Sequence, residues 1–217
     1  MEQKITKSGR LSASETKRLA ILDNALILLL NQGFEGMSMD ELAERAFVAK
    51  PTIYNHFGGK EQLFAEVVEH SLKKNRDKII AEEVLEVGAE AGLYHMAFEL
   101  TSMFGRDDDM LRLCQLCIVS ADRFPMAIDT FLKSGPWQGT ERMADCIAHW
   151  HKAGELEASD PMLAAQQLAE LCKVSIFDRR LYGQKNKMPV DTCERVAREA
   201  VRTFLARFGR SNAPLMN

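Results

Sequence analysis

Residues 38–60 read SMDELAERAFVAKPTIYNHFGGK, two short helical segments joined by a tight turn. Ser38 stands three residues before Glu41 as a capping box does, which predicts a first helix starting at Met39. Leu42, Ala43 and Ala46 supply its inward stripe, and Phe47-Val48 breaks it. The second helix spans only about Lys50 to His56, and isolated helices below roughly a dozen residues are marginal in water, so its neighbours must hold it. Ile53 and Phe57, four apart, form the docking face. Lys50, Thr52, Tyr54, Asn55 and His56 are left pointing outward or sideways, all able to donate, accept or stack. One helix that packs and one that presents polar side chains is the arrangement of a helix-turn-helix, whose second helix enters the DNA major groove.

At 217 residues and 46% apolar content the chain can build a packed core in one domain or two small ones. A net charge of −3 excludes a basic nucleic-acid coat. The sign is nevertheless uneven: residues 1–18 hold five Lys or Arg (Lys4, Lys7, Arg10, Lys17, Arg18) against two Glu, and residues 81–217 hold sixteen basic against twenty acidic. Positive charge sits where a DNA-facing arm would be, with an ordinary frayed terminus as the bland alternative. The longest apolar run, Ala25 to Leu30, is far too short to span a bilayer, and no signal-peptide arrangement is present, so a cytoplasmic protein without a membrane partner is expected. Five cysteines, an odd number, fit free thiols.

Taken in order, helical periodicity runs almost throughout, and the expected fold class is all-α. A helix starting near Ser14 carries Leu19, Leu22, Leu26 and Leu29 on one stripe and ends at Gly33, with Phe34 anchoring under the hairpin. Gly58-Gly59 breaks the chain, and Lys60 opens a longer helix through Phe64, Val67, Val68 and Leu72 towards Ile80. Further helices are expected at 90–104, 108–121, 125–152 (bent or broken around Gly135-Pro136), 161–182 and 190–208. Asp160-Pro161 is a start signal, and Gly154, Gly183 and Gly209 are stops. The expected organisation is a flexible basic arm at 1–13, a helix-turn-helix domain at 14–60, a connecting helix at 61–80 and a helical ligand-binding and dimerisation domain at 81–210.

Thr52, Ile53, Tyr54, His56, Phe57, Lys60, Glu61 and Leu63 resemble, in register, the pattern T-[ILV]-Y-x-[HY]-F-x-x-K-E-x-L of the TetR family of bacterial transcriptional repressors. With the preceding apolar helix, the likeness covers the first quarter to third of the chain. Ala121-Asp122-Arg123-Phe124-Pro125, with Gly154 and Asp160-Pro161, resembles the ligand domain of the AefR-like branch of that family. The resemblance implies a homodimeric regulator whose partners are a double-stranded DNA operator and a small-molecule inducer, with no cofactor and no catalytic residues. Reach and resemblance together make Lys50, Pro51, Tyr54 and Asn55 the base-contact candidates: Lys50 to guanine, Asn55 to adenine, Pro51 and Tyr54 to thymine methyls. A partly buried Tyr54 is the alternative. Thr52, His56 and Lys60 match family positions that hold phosphates. Two residues depart from the family: Phe47 replaces a turn glycine, and Ala49 replaces a Ser-like cap.

The resemblance also puts an inducer pocket in the second domain, where Met96, Leu100, Met103, Phe104, Leu113, Cys117, Trp137, Trp150 and Phe177 are candidates to line an apolar cavity. Plain core packing is the alternative for each. The last two helices are apolar on wide faces, and Leu168, Leu171, Cys172, Ala197, Val201, Phe204 and Phe208 are candidates for a four-helix interface across a two-fold axis. Cys114 and Cys117 form a C-x-x-C one turn apart with no second Cys pair nearby, which fails zinc spacing and leaves buried thiols or a thiol switch. Asp145 and His149 share a helix face, but His151 does not, a poor metal set. Gly58-Gly59-Lys60 fails as a phosphate loop because Tyr54 and Glu61 stand at its other required positions. The leading expectation is a repressor released from a palindromic operator by a small apolar ligand. The rivals are an all-helical enzyme acting in the same cavity and a thiol-sensing regulator.

Overall fold

Ile53 and Phe57 are 0% and 5% exposed, and the small N-terminal unit is built around them. The computed structural model describes residues 12–174 and 176–210, so most of the expected basic arm and the tail beyond Arg210 lie outside the described residues. By internal contacts the chain divides into two compact units, Met1–Val67 and Val68–Asn217. The described residues form eleven α-helices, one 3-10 turn and one π-turn, without a named strand; an isolated antiparallel bridge joins Leu156 to Gly209.

Helix α1 (Ala13–Gly36) opens with a full capping box: Ser12 Oγ accepts from the Glu15 amide at 3.1 Å, and Glu15 Oε2 accepts from the Ser12 amide at 2.8 Å. Its buried face is Ile21, Leu22, Ala25, Leu28 and Leu29, so the stripe is turned relative to the leucine pattern, leaving Leu19 and Leu26 half-buried at its edges. Gly33, at φ 71° and ψ 177°, interrupts the helix where a stop is expected, and the next turn carries Phe34 to within 5.6 Å of the Phe64 ring.

Helix α2 (Met39–Arg45) is capped by Ser38, whose Oγ accepts from the amides of Asp40 and Glu41. The Glu41 carboxylate turns instead to Gln32 Nε2, so only the serine half of the expected box is used. The turn into helix α3 (Lys50–Phe57) puts Phe47 at φ 53° with its side chain 95% exposed, and Ala49 gives α3 no side-chain cap. These two departures cost about 1–2 and ~1 kcal/mol respectively. Burial of Ile53 and Phe57 contributes about 1.5–3 kcal/mol each, so packing outweighs the local defects. Arg18 completes the seat: it pairs with Glu66 and lies 5.5 Å from the Phe57 ring centroid. Helix α4 (Lys60–Ile79) follows the Gly58-Gly59 break.

The second unit contains the 3-10 turn Glu82–Leu85, α5 (Ala89–Arg106), α6 (Asp108–Ser120), α7 (Pro125–Leu132), the π-turn Lys133–Trp137, α8 (Gln138–Lys152), α9 (Pro161–Lys173), α10 (Ile176–Leu181) and α11 (Val190–Phe208). The break expected near Gly135-Pro136 is that π-turn, which absorbs a proline that has no amide to donate. The single helix expected over 161–182 is instead two, α9 and α10. Asp107 and Asp160 cap α6 and α9, their Oδ1 atoms accepting from the amides of Met110 and Leu163 at 2.9 and 3.0 Å.

Helix α5 is the axis of this unit, in contact with α6, α8, α9, α10 and α11. Small residues, Ala89, Gly92, Ala97 and Gly105, let its neighbours approach, and Trp150 fits over Gly92. The core so formed overturns part of the interface expectation. Leu168, Cys172, Ala197, Val201 and Phe204 are at most 4% exposed within this one chain, because those faces of α9 and α11 pack on α5 and on each other. Only Leu171 and Phe208 of the candidate set stay partly exposed.

Two substitutions test this packing. A Cβ on Gly92 would lie 2.3 Å from Trp150 Cζ2 and 3.0 Å from the Val84 carbonyl oxygen, so Gly92→Ala is expected to lower unfolding free energy in urea by about 1–3 kcal/mol. Phe47→Asn keeps the left-handed turn with a residue that tolerates it and loses no packing, and is expected to raise stability by about 1 kcal/mol in the same assay.

Candidate functional site

Helix α3 presents its outer face because its inner face is fully committed. Pro51, Tyr54 (43% exposed) and Asn55 are exposed, and Lys50, Thr52, His56 and Lys60 are half-buried beside them. The seven residues expected to meet DNA are thus all at least partly exposed, and Tyr54 is not core. Two are already engaged. Lys50 Nζ donates to Asp40 Oδ2 at 2.9 Å, and this hydrogen bond holds the ammonium above its usual pKa. Lys60 Nζ donates to the Glu35 carbonyl oxygen at 3.3 Å and sits 4.8 Å from the centroid of Phe34, which ties the start of α4 to the end of α1.

Chemically, this surface offers an ammonium, an amide, a phenol, an imidazole and a hydroxyl within two helical turns, all on a rigid element. An amide can pair bidentately with adenine and an ammonium can donate to guanine, while hydroxyl and imidazole groups suit phosphate oxygens.

In the second unit a cavity of about 380 Å³ lies against α4 to α10 and the π-turn. Of the nine lining candidates, Leu100, Met103, Phe104 and Phe177 form its wall, with the Phe104 and Phe177 rings 5.0 Å apart. Met96, Leu113, Cys117 and Trp150 do not line it; they are at most 2% exposed and are used up in core packing. Trp137 is 55% exposed and also lies off the wall. Sequence reasoning missed Arg76, Met143 and Lys173, which do reach the cavity. Arg76 falls in a polar stretch of α4 that reads as solvated, and no local pattern marks it as lining a chamber.

The C-x-x-C pair divides: Cys114 lines the cavity and Cys117 does not. Burial pushes both thiols up to about 12, so neither carries a thiolate near neutral pH. All five cysteines are free and buried. Among the described residues no group of three or more His, Cys, Asp or Glu is placed to hold a metal ion, and no helix is long and apolar enough to cross a membrane.

Comparison with known proteins follows the same division. Residues 21–67 match the family model of bacterial regulatory proteins of the tetR family, and residues 92–210 match that of the C-terminal domain of AefR-like transcriptional repressors. A TetR-family transcriptional regulator from Mesorhizobium loti MAFF303099 superposes with a TM-score of 0.83 at 29% identity, over 92% of this chain and 100% of that one. The flavonoid-responsive regulator FrrA superposes with a TM-score of 0.75 at 25% identity, again over 92% of this chain and 100% of FrrA. IcaR of Staphylococcus epidermidis, a negative transcriptional regulator of the biofilm operon icaADBC, is 24% identical over 113 residues, 52% of this chain and 57% of IcaR, so the chain spans little more than half the length of that relative. A helix-turn-helix with a polar, exposed outer face, an all-helical second unit and family matches to both establish that the chain belongs to the TetR family of transcriptional regulators, with an AefR-like C-terminal domain.

Proposed function

We propose that the chain works in the cytoplasm as a homodimeric repressor, released from a palindromic operator by a small ligand with an apolar body. The observation that carries this reading is the outer face of α3, polar and exposed, on a helix whose inner face is buried. Lys50 reads guanine, Asn55 adenine, and Pro51 and Tyr54 meet thymine methyls; Thr52, His56 and Lys60 hold phosphates. Lys50 must leave Asp40 to reach a base, so its contribution is the difference between the two partners.

Dimerisation is supported by the outer faces of α9 and α11, where Leu171, Val174 and Phe208 border a surface groove with Arg207. Two-fold symmetry would set two α3 helices about one DNA turn apart, roughly 34–36 Å, on an operator of matching symmetry. The cavity with its Leu100, Met103, Phe104 and Phe177 wall is the inducer site in this reading. An inducer that binds better to a form unable to span the operator lowers DNA affinity by that same difference. FrrA, named as flavonoid-responsive, supports a small-molecule trigger, and IcaR, named as a negative regulator, supports repression. Buried, protonated thiols favour a ligand trigger over a redox one.

Gel shift and footprinting on the DNA upstream of the chain's own gene test the reading. A specific, salt-sensitive shift over a palindrome is expected, and no specific shift would exclude it. Asn55→Ala should cost about 1–3 kcal/mol and relax preference at one base pair, whereas Lys60→Gln should weaken binding evenly across sequences and reduce the salt slope by about one. Mass-spectrometric mapping of native protein treated with a thiol reagent at pH 8 should find Cys114 and Cys117 reacting roughly a thousandfold slower than an exposed thiol, because a pKa near 12 leaves so little thiolate. Rapid labelling would revive the thiol trigger.

A further inference from the structure

We infer that the cavity of the second unit takes an amphipathic monoanion, its acid group held by Arg76 and its apolar body by the Met and Phe wall. The inference rests on that cavity being the inducer site. Among the described residues, three charged side chains reach it: Arg76, Glu170 and Lys173. Glu170 and Lys173 neutralise one another at 2.5 Å, and Lys173 also lies 5.8 Å from the centroid of Phe104. Among the described residues, Arg76 has no such counterpart. Its Nη1 donates to a neutral acceptor, the Ser134 carbonyl oxygen in the π-turn, at 2.5 Å, while its Nε is buried without a partner. The carboxylate next to it in sequence, Asp77, is instead engaged by Arg142 at 3.3 Å.

The chamber therefore holds, among its described residues, one positive charge without a carboxylate partner, set among mostly apolar side chains. A guanidinium is planar and always charged, and its paired N–H groups match the two oxygens of a carboxylate. In surroundings of low polarity that attraction is stronger than in water. An amine would be repelled, and a neutral alcohol would accept a hydrogen bond without meeting the charge. Leu100, Met103, Phe104, Met143 and Phe177 ask for an apolar remainder, and about 380 Å³ limits it to a small one, near the lower end of ligand sites. An aryl or short-chain alkyl carboxylic acid meets all these requirements.

Isothermal titration calorimetry on the full-length protein tests this with two sets of probes sharing one body each: 4-phenylbutyrate, 4-phenylbutan-1-ol and 4-phenylbutylamine, and octanoate, octan-1-ol and octylamine. In at least one set the acid is expected to bind about tenfold or more tighter than the alcohol, with the amine weakest. Arg76→Met should erase the preference for acid over alcohol while leaving alcohol affinity within a few fold, and Arg76→Lys should retain part of it. Equal affinity of acid and alcohol for the wild-type protein in both sets overturns the inference, and so does a preference that survives in Arg76→Met. The wild-type series decides alone if Arg76→Met does not fold. Alcohols that bind without any gain from the acid leave the cavity an inducer site and remove only the anion; silence from all six probes removes the inducer site itself.

Discussion

The burial of Ile53 and Phe57 is the constraint on which the N-terminal unit depends. Helix α3 has eight residues, no side-chain cap and a preceding turn that forces Phe47 into a left-handed conformation. Its local supports, Pro51 in the first turn and the Gly58 cap at φ 77°, are too few to hold so short a helix in isolation. It persists because α1, α2 and the start of α4 form a seat for two apolar side chains, closed by Arg18 and Glu66 at one edge and by Lys60 over Phe34 at another. Fixing the inner face fixes the outer one, since side chains on a helix keep their angular relation. A surface that reads DNA needs that rigidity, because a bidentate contact to a base edge tolerates little misplacement.

The second unit solves a different problem, packing long helices closely while keeping an interior space. Small residues along α5 bring α8, α9 and α11 in, with Trp150 fitted over Gly92. Farther along α5, Leu100, Met103 and Phe104 turn to larger apolar groups, and the helices part around the cavity. The π-turn belongs to that arrangement. Gly135 lies close against Leu72, and Ser134 offers Arg76 its carbonyl oxygen.

Much of this was legible from the residues. Ser38, Asp160 and the glycines marked ends of helices, and the motif from Thr52 to Leu63 marked the TetR-family N-terminal domain, because caps and family motifs are local in sequence. The Ser12–Glu15 capping box, equally local, starts α1 just ahead of Ser14. Rotation of a helix about its own axis was not: α1 buries Ile21, Ala25 and Leu28 in preference to Leu19 and Leu26, a turn of about one residue that a leucine count cannot resolve. The same limit undid most of the partner face on α9 and α11. Apolar residues such as Leu168 and Phe204 look alike whether they meet their own core or a second chain. It also separated Met103 and Phe104, which line the cavity, from Met96 and Trp150, which do not. Arg76 escaped because its importance comes from where the fold puts it and not from its neighbours in sequence.

The two tryptophans end up in opposite surroundings: Trp150 is 0% exposed over Gly92, and Trp137 is 55% exposed at the end of the π-turn. Indole emission follows the polarity around the ring, so the protein carries its own pair of optical probes, a blue one in the helical core and a red one beside Gly135 and Pro136, which border the cavity. Loss of core packing and rearrangement at the cavity rim can therefore be told apart by colour in a single unlabelled sample.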